Sequence, residues 1–118
     1  MAKTEESRLE QQVGAYMAKR RVWKLARYQA QASQNGLPDR IYLYKGYLLG
    51  FELKTDKGEP TTLQERKLEC INENGGIGLI ITKVEEVAKV LDLIDAYDSV
   101  SSNCSALIRR EYEEWKNE

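Results

Sequence analysis

The sequence predicts a mixed α/β fold: a helix, three strands, a helix, a strand and further helices, in that order. Three observations carry this expectation. Apolar residues recur at helical spacing near the start of the chain and again after Val84. Two runs rich in Ile, Tyr, Leu and Phe flank a Lys45-Gly46 pair that suits a hairpin turn. A short, nearly continuous apolar run from Ile77 to Thr82 follows Gly75-Gly76, as a buried strand would.

Each element has a local reason. Between Thr4 and Arg21, Leu9, Val13, Tyr16 and Met17 follow the spacing of an amphipathic helix. Val22 to Tyr28 reads as a strand with Val22, Trp23, Leu25 and Tyr28, and polar residues from Gln29 to Asn35 form a loop closed by Gly36-Leu37-Pro38. Asp39 to Tyr44 and Tyr47 to Lys54 make an antiparallel pair. Asp56 to Pro60 breaks the pattern. Thr61 or Thr62 then caps a helix running to about Asn74, with Leu63, Leu68 and Ile71 interspersed. Val84 to Tyr97 returns to helical spacing through Val87, Val90, Leu91 and Ile94. Ser99 to Ser105 reads as a linker, and Ala106 to Lys116 as a last helix with Leu107, Ile108, Tyr112 and Trp115 partly buried. A main unit over residues 1–98 is therefore expected, followed by a linker and helix over 99–118 that pack on it or at a dimer interface.

Composition narrows the chemistry. A chain of 118 residues with 42% apolar residues has room for one modest core and one active site. Its net charge of -1 supplies no broad basic field, so any contact with nucleic acid must come from a local cluster of cations. The chain has no histidine. That removes histidine general bases, Ser-His-Asp and Cys-His systems and most zinc sites, and leaves carboxylates and lysine as the reactive groups. Cys70 and Cys104 stand far apart without metal-ligand spacing and are expected as free thiols. Met1 to Arg8 is polar and acidic where a secretion signal is apolar, and no apolar stretch reaches bilayer length, so the expected location is the cytoplasm, with no membrane contact.

A hairpin turning at Lys45-Gly46 pairs Tyr44 with Tyr47, and counting back sets Asp39 opposite Glu52. Opposed residues on one face have Cβ atoms about 4.5 to 5.5 Å apart, where like charges repel unless a cation compensates. The period of two puts Lys54 on the same face as Glu52 and turns Phe51 and Leu53 to the other. Two carboxylates beside an ammonium suit phosphodiester hydrolysis, since Mg²⁺ favours carboxylate oxygens, water and phosphate.

Gly36-Leu37-Pro38-Asp39-Arg40, Phe51-Glu52-Leu53-Lys54-Thr55 and Thr62-Leu63-Gln64, in this order, resemble the successive motifs of the VRR-NUC branch of the PD-(D/E)XK nucleases. The resemblance covers roughly residues 6–93. It implies a restriction-endonuclease-like core with helices on both faces of a mixed sheet, Mg²⁺ or Mn²⁺ as cofactor, and cleavage of structured DNA. Stand-alone bacterial and phage members are similar to Holliday junction resolvases and act as homodimers. Flap, nicking or exonuclease activity would use the same residues, and a non-catalytic DNA-binding module is the alternative from another class.

By this resemblance Asp39 and Glu52 are metal ligands, the Leu53 carbonyl adds an oxygen, Lys54 is the catalytic lysine, and Gln64 faces the site from the following helix. The family also places a glutamate on its first helix. Glu6 and Glu10 are both candidates, and Glu10 is preferred because Val13 and Met17 follow it at three and seven residues. The sequence departs from its relatives at Arg20-Arg21, where many carry glycine between helix and strand. Lys19, Arg20, Arg21, Lys24 and Arg27 crowd that junction and are the expected contacts to DNA phosphates, with Trp23 and Tyr28 expected mainly in the core.

Overall fold

The computed structural model describes residues 4–25, 38, 40–55 and 59–118. Tyr28, the loop at 29–35, and the residues Arg27, Gly36, Leu37 and Asp39 lie outside that set. The elements are α1 (Glu5–Lys19), β1 (Trp23–Lys24), β2 (Arg40–Tyr44), β3 (Tyr47–Leu53), α2 (Thr62–Glu73), β4 (Ile77–Ile81), α3 (Val84–Ala96) and α4 (Ser105–Lys116). The fold is mixed α/β, in the expected order of helices and strands.

Helix α1 starts where Thr4 accepts a hydrogen bond from the Ser7 amide at 3.0 Å, and Glu5 and Glu6 meet the positive end of the helix dipole. Leu9, Val13 and Met17, one turn apart, form its buried stripe. At the other end the Arg21 amide donates to the Ala18 carbonyl and the Val22 amide to the Met17 carbonyl, the paired bonds of a Schellman ending. Its left-handed position is held by Arg21, at φ 58°. A side chain with a Cβ is strained there, and glycine is the residue that this backbone position favours. Arg21→Gly is expected to raise stability by about 0.5 to 1 kcal/mol, read as a higher midpoint in thermal or urea unfolding.

The four strands lie in the order β1-β2-β3-β4. β1, β2 and β3 are antiparallel neighbours, while β4 runs parallel to β3 and is reached through α2. Lys45 and Gly46, with φ of 48° and 88°, turn the β2–β3 hairpin in the primed sense that matches strand twist. Tyr44 pairs with Tyr47 and Arg40 with Phe51, which is the register expected from the sequence.

Strand alternation divides the sheet. Leu49, Phe51 and Leu53 of β3 stand beside Ile77, Leu79 and Ile81 of β4 and pack with the stripes of α1 and α3 in the main core. The opposite face carries Gly50 of β3 beside Gly78 of β4, and there α2 lies directly on the sheet. A Cβ built on Gly78 would stand 2.7 Å from the Leu68 carbonyl oxygen, and one on Gly50 would meet Ile71 Cδ1 and the ring of Pro38. The two glycines make a floor without side chains, and the Asn72 side chain anchors α2 by accepting from the Gly78 amide at 2.7 Å and donating to its carbonyl. Helices thus cover both faces.

Some expectations are corrected. Trp23, expected in the core, is 63% exposed, because it sits on the two-residue edge strand β1 while α2 covers β3 and β4. Leu63 and Leu107 point outward from α2 and α4. α4 begins at Ser105, and its Ile108 and Tyr112 enter the main core together with Cys104, whose amide donates to the Tyr47 hydroxyl. The C-terminal helix therefore packs on the domain. Cys70 and Cys104 are free thiols. No helix among the described residues is long and apolar enough to cross a membrane.

Candidate active site

Two carboxylates among the described residues are fully buried, Glu52 and Glu86. A buried carboxylate costs several kcal/mol unless hydrogen bonds and counter-charges compensate. Glu86 is accounted for by its own helix: its Oε1 accepts from the Thr82 and Lys83 amides at the start of α3, and the Thr82 hydroxyl joins them.

Glu52 is held in another way. The Gln64 side-chain amide donates to Glu52 Oε1 at 2.9 Å, and Lys54 Nζ stands 3.8 Å from the same oxygen. Period-two alternation puts Glu52 and Lys54 on the α2 side and sends Phe51 and Leu53 into the main core, as expected. A separation of 3.8 Å is beyond hydrogen-bond length, so the ammonium offsets the carboxylate charge without being committed to it as a donor. Gln64 carries no charge, and its bond orients Glu52.

Gln64 is itself fixed by a device absent from the sequence-based expectation. Its backbone amide donates to the Thr61 hydroxyl at 3.1 Å, while its side-chain carbonyl accepts from the Thr61 amide at 2.9 Å. This capping box uses one end of the Gln64 amide and aims the other at Glu52. Thr61 is thus a positioning residue. The Thr-x-x-Gln spacing at the start of α2 marks it, and together with Gly50 and Gly78 it explains how side chains twelve positions apart in sequence come within 3 Å of one another.

The Lys54 amide donates to the Ile81 carbonyl at 2.9 Å, toward β4. In a trans peptide the preceding carbonyl points the opposite way, so the Leu53 oxygen is directed to the β2 side. Glu10 is half-buried on α1, and its carboxylate lies 3.5 Å from Arg40, the residue that follows Asp39 in the chain. Glu6 is exposed one turn earlier. Asp39 lies outside the described residues. Among the described residues no three carboxylates, histidines or cysteines gather as a metal cluster.

The basic segment is not drawn to this end of the sheet as a block. Arg20 forms ion pairs with Asp95 at 2.8 Å and Asp92 at 3.2 Å on α3. Asp95 also takes the Tyr44 hydroxyl and the Lys45 ammonium, each at 2.7 Å. Partial burial alone would raise the Asp95 pKa, but the hydrogen bonds from Lys45 and Tyr44 outweigh it and leave the carboxyl below its usual value. Arg20 thus ties α1 to α3 at the hairpin-turn end. Glu52 is five residues along β3 from Tyr47, about 17 Å at strand rise. Lys19, Arg21 and Lys24 are exposed, and Arg27 lies outside the described residues.

Comparison with protein-family models, with curated proteins and with solved structures found no match to this chain.

Proposed function

We propose that this chain is a divalent-metal-dependent DNA endonuclease with a restriction-endonuclease-like core of the VRR-NUC, PD-(D/E)XK type. The observation that supports it is the meeting of Glu52, Lys54 and Gln64, three residues of the motif set, around one buried carboxylate. An idle charged face would leave Glu52 in water. Here the fold sequesters it beside the Gln64 amide and the Lys54 ammonium.

The donors fit a hard cation. They are oxygens only, a buried carboxylate and a carbonyl directed to the β2 side, with no histidine in the chain. Glu52 would hold Mg²⁺ or Mn²⁺ with the Leu53 carbonyl and with Asp39, the residue that the sequence reading expects opposite Glu52. Glu10, close to Arg40, is the first-helix carboxylate of the proposal, in preference to Glu6. When bound, the ion supplies Lewis acidity toward the phosphate and its attacking water. Lys54 then faces the scissile phosphate, orients the water by hydrogen bonding and stabilises charge on the phosphoryl oxygens. Gln64 keeps the Glu52 carboxylate in a single orientation. Lys19, Arg21, Lys24 and Arg27 remain candidates for more distant phosphate contacts. Arg20 does not, because its guanidinium is held by Asp92 and Asp95.

Branched DNA cut by a homodimer, in the manner of a Holliday junction resolvase in a bacterial or phage-infected cell, is the substrate class the motif resemblance favours. The test is incubation of four-way junction, flap, nicked and linear duplex DNA with and without Mg²⁺ or Mn²⁺. Metal-dependent, symmetrically paired nicks in the junction are expected. Cleavage confined to flaps, nicks or ends would replace the resolving activity with one of those. Binding of these DNAs without cleavage under either metal would leave a non-catalytic module.

A further inference from the structure

Among the described residues β4 is the outer strand of the sheet, and its free edge meets α2 and α4 around a hollow of about 300 Å³. Ile80, at the back of the hollow, is the Cα partner of Glu52. The hollow therefore lies one strand outward of the proposed reacting centre and is separate from it, since Glu52, Lys54 and Gln64 do not line it.

The backbone of β4 offers one open position there. Successive residues of a strand turn their N–H and C=O groups to opposite sides, and Ile77, Leu79 and Ile81 serve β3, the Ile81 carbonyl accepting from the Lys54 amide. Gly78 and Ile80 accordingly face the free edge. The Asn72 side chain caps both backbone groups of Gly78, and just past the strand the Thr82 amide donates to Glu86. Between these two capped positions Ile80 is neither paired nor capped by a described residue. Capping on either side blocks the addition of a whole strand and leaves room to pair a single residue.

Helix α4 supplies the charged wall. Arg109, Tyr112, Glu113 and Lys116, spaced by three and four residues, line the hollow from one face of the helix. The Tyr112 hydroxyl and Arg109 Nε are both buried, and neither has a hydrogen-bond partner among the described residues. Tyr112 as a whole is 1% exposed. Burial, and after it the nearby carboxylates of Glu86 and Glu113, push its hydroxyl up, so it stays protonated and available as a donor. Arg109 forms no ion pair with a described residue, and Lys116 is shared at 3.9 Å with Glu86, just outside the hollow. Two lining cations against the one carboxylate of Glu113 suit a ligand with a single negative charge and work against a phosphate dianion. Leu68 and Leu79 add an apolar wall.

We propose that this hollow binds the C-terminal residue of an extended polypeptide from a partner protein. Its carboxylate meets Arg109 Nε and the Tyr112 hydroxyl, its backbone amide pairs with the edge groups of Ile80, and an apolar side chain lies against Leu68 and Leu79. The volume is at the low end for ligand sites and suits one residue rather than a folded surface. The inference does not depend on the nuclease reading, and its test involves neither DNA nor metal.

The test is NMR titration of the isotope-labelled native chain with three probes. N-acetyl-leucine carries the carboxylate, the amide and the apolar side chain, N-acetyl-leucinamide lacks only the charge, and inorganic phosphate has the charge alone. Saturable shifts of the Ile80 amide and Arg109 Nε–H signals by N-acetyl-leucine are expected, with a Kd of about 1 to 10 mM for a ligand of this size. The amide is expected to bind at least about tenfold more weakly, as is N-acetyl-leucine to Arg109→Gln, since a charge-assisted hydrogen bond is lost in each case. Tyr112→Phe should weaken binding about 2- to 10-fold while melting no lower than the native chain, because its hydroxyl has no protein partner to lose. Equal binding of the acid and the amide, or phosphate bound as tightly as the acid, would overturn the proposal. So would the absence of shifts with all three probes, which would leave the hollow to water, or a Tyr112→Phe variant that melts lower and binds as the native chain does.

Discussion

Lys54→Ala is expected to lower the rate of metal-dependent DNA cleavage about 10² to 10³-fold while leaving junction affinity nearly unchanged, since removing one preorganised charge-stabilising donor typically costs roughly 3 to 4 kcal/mol in the transition state. The separation of rate from affinity follows from geometry. Lys54 Nζ is 3.8 Å from Glu52 and only about one-fifth exposed, so it contributes one positive charge at the proposed reacting centre and little to a broad binding surface. Single-turnover cleavage measured beside equilibrium binding reads the two effects separately. A variant that cuts at the native rate would remove Lys54 from the chemistry. A variant whose affinity falls as far as its rate would make it a binding residue. The alanine removes the counter-charge of a buried carboxylate and leaves Gln64 as its partner, so a lower melting temperature is expected and cleavage is compared well below it.

The second large effect is expected at a residue with no side chain. Gly78→Ala puts a Cβ 2.7 Å from the Leu68 carbonyl oxygen and 3.1 Å from its Cα. Both are backbone atoms of α2, so relief requires the whole helix to lift from the sheet. Forced overpacking of this kind costs about 1 to 3 kcal/mol. The loss should reach activity as well, because a displaced α2 withdraws Gln64 from Glu52. Gly50→Ala meets chiefly the end of the Ile71 side chain, which can rotate aside, and its cost should be smaller. Gly14→Ala in α1 has nothing within 4 Å and sits inside a helix, where alanine is favoured by roughly 0.5 to 1 kcal/mol. Urea unfolding of the three variants should therefore rank Gly14→Ala above the native chain and Gly78→Ala well below it. Cleavage by the Gly78 variant at native rate and stability would show that the close approach of α2 has no part in holding the site.

Much of the architecture was legible because its causes are local. The stripe of α1 follows from Leu9, Val13 and Met17, the hairpin register from Lys45-Gly46, and the inward direction of Phe51 and Leu53 from strand alternation. That register also put Glu52 and Lys54 on one face, and the ordered motifs named Gln64 as their neighbour. The burial of Trp23 was misjudged because an aromatic in a strand-like run carries no mark of whether a helix covers it. The ion pairs of Arg20 were not legible because its partners, Asp92 and Asp95, lie more than seventy positions away.

By itself the sequence determined the element order, the hairpin and the residue types available for chemistry, since each depends on periodicity, turn propensity or composition within a few residues. The tertiary structure alone decided that Glu52 is buried, that Thr61 aims Gln64 at it, that α2 rests on Gly50 and Gly78, and that Arg20 pairs with Asp92 and Asp95 of α3. Those outcomes depend on distances between separate elements. Such distances are set by packing and by the loss of water around charges, and neither is encoded at any single position in the chain.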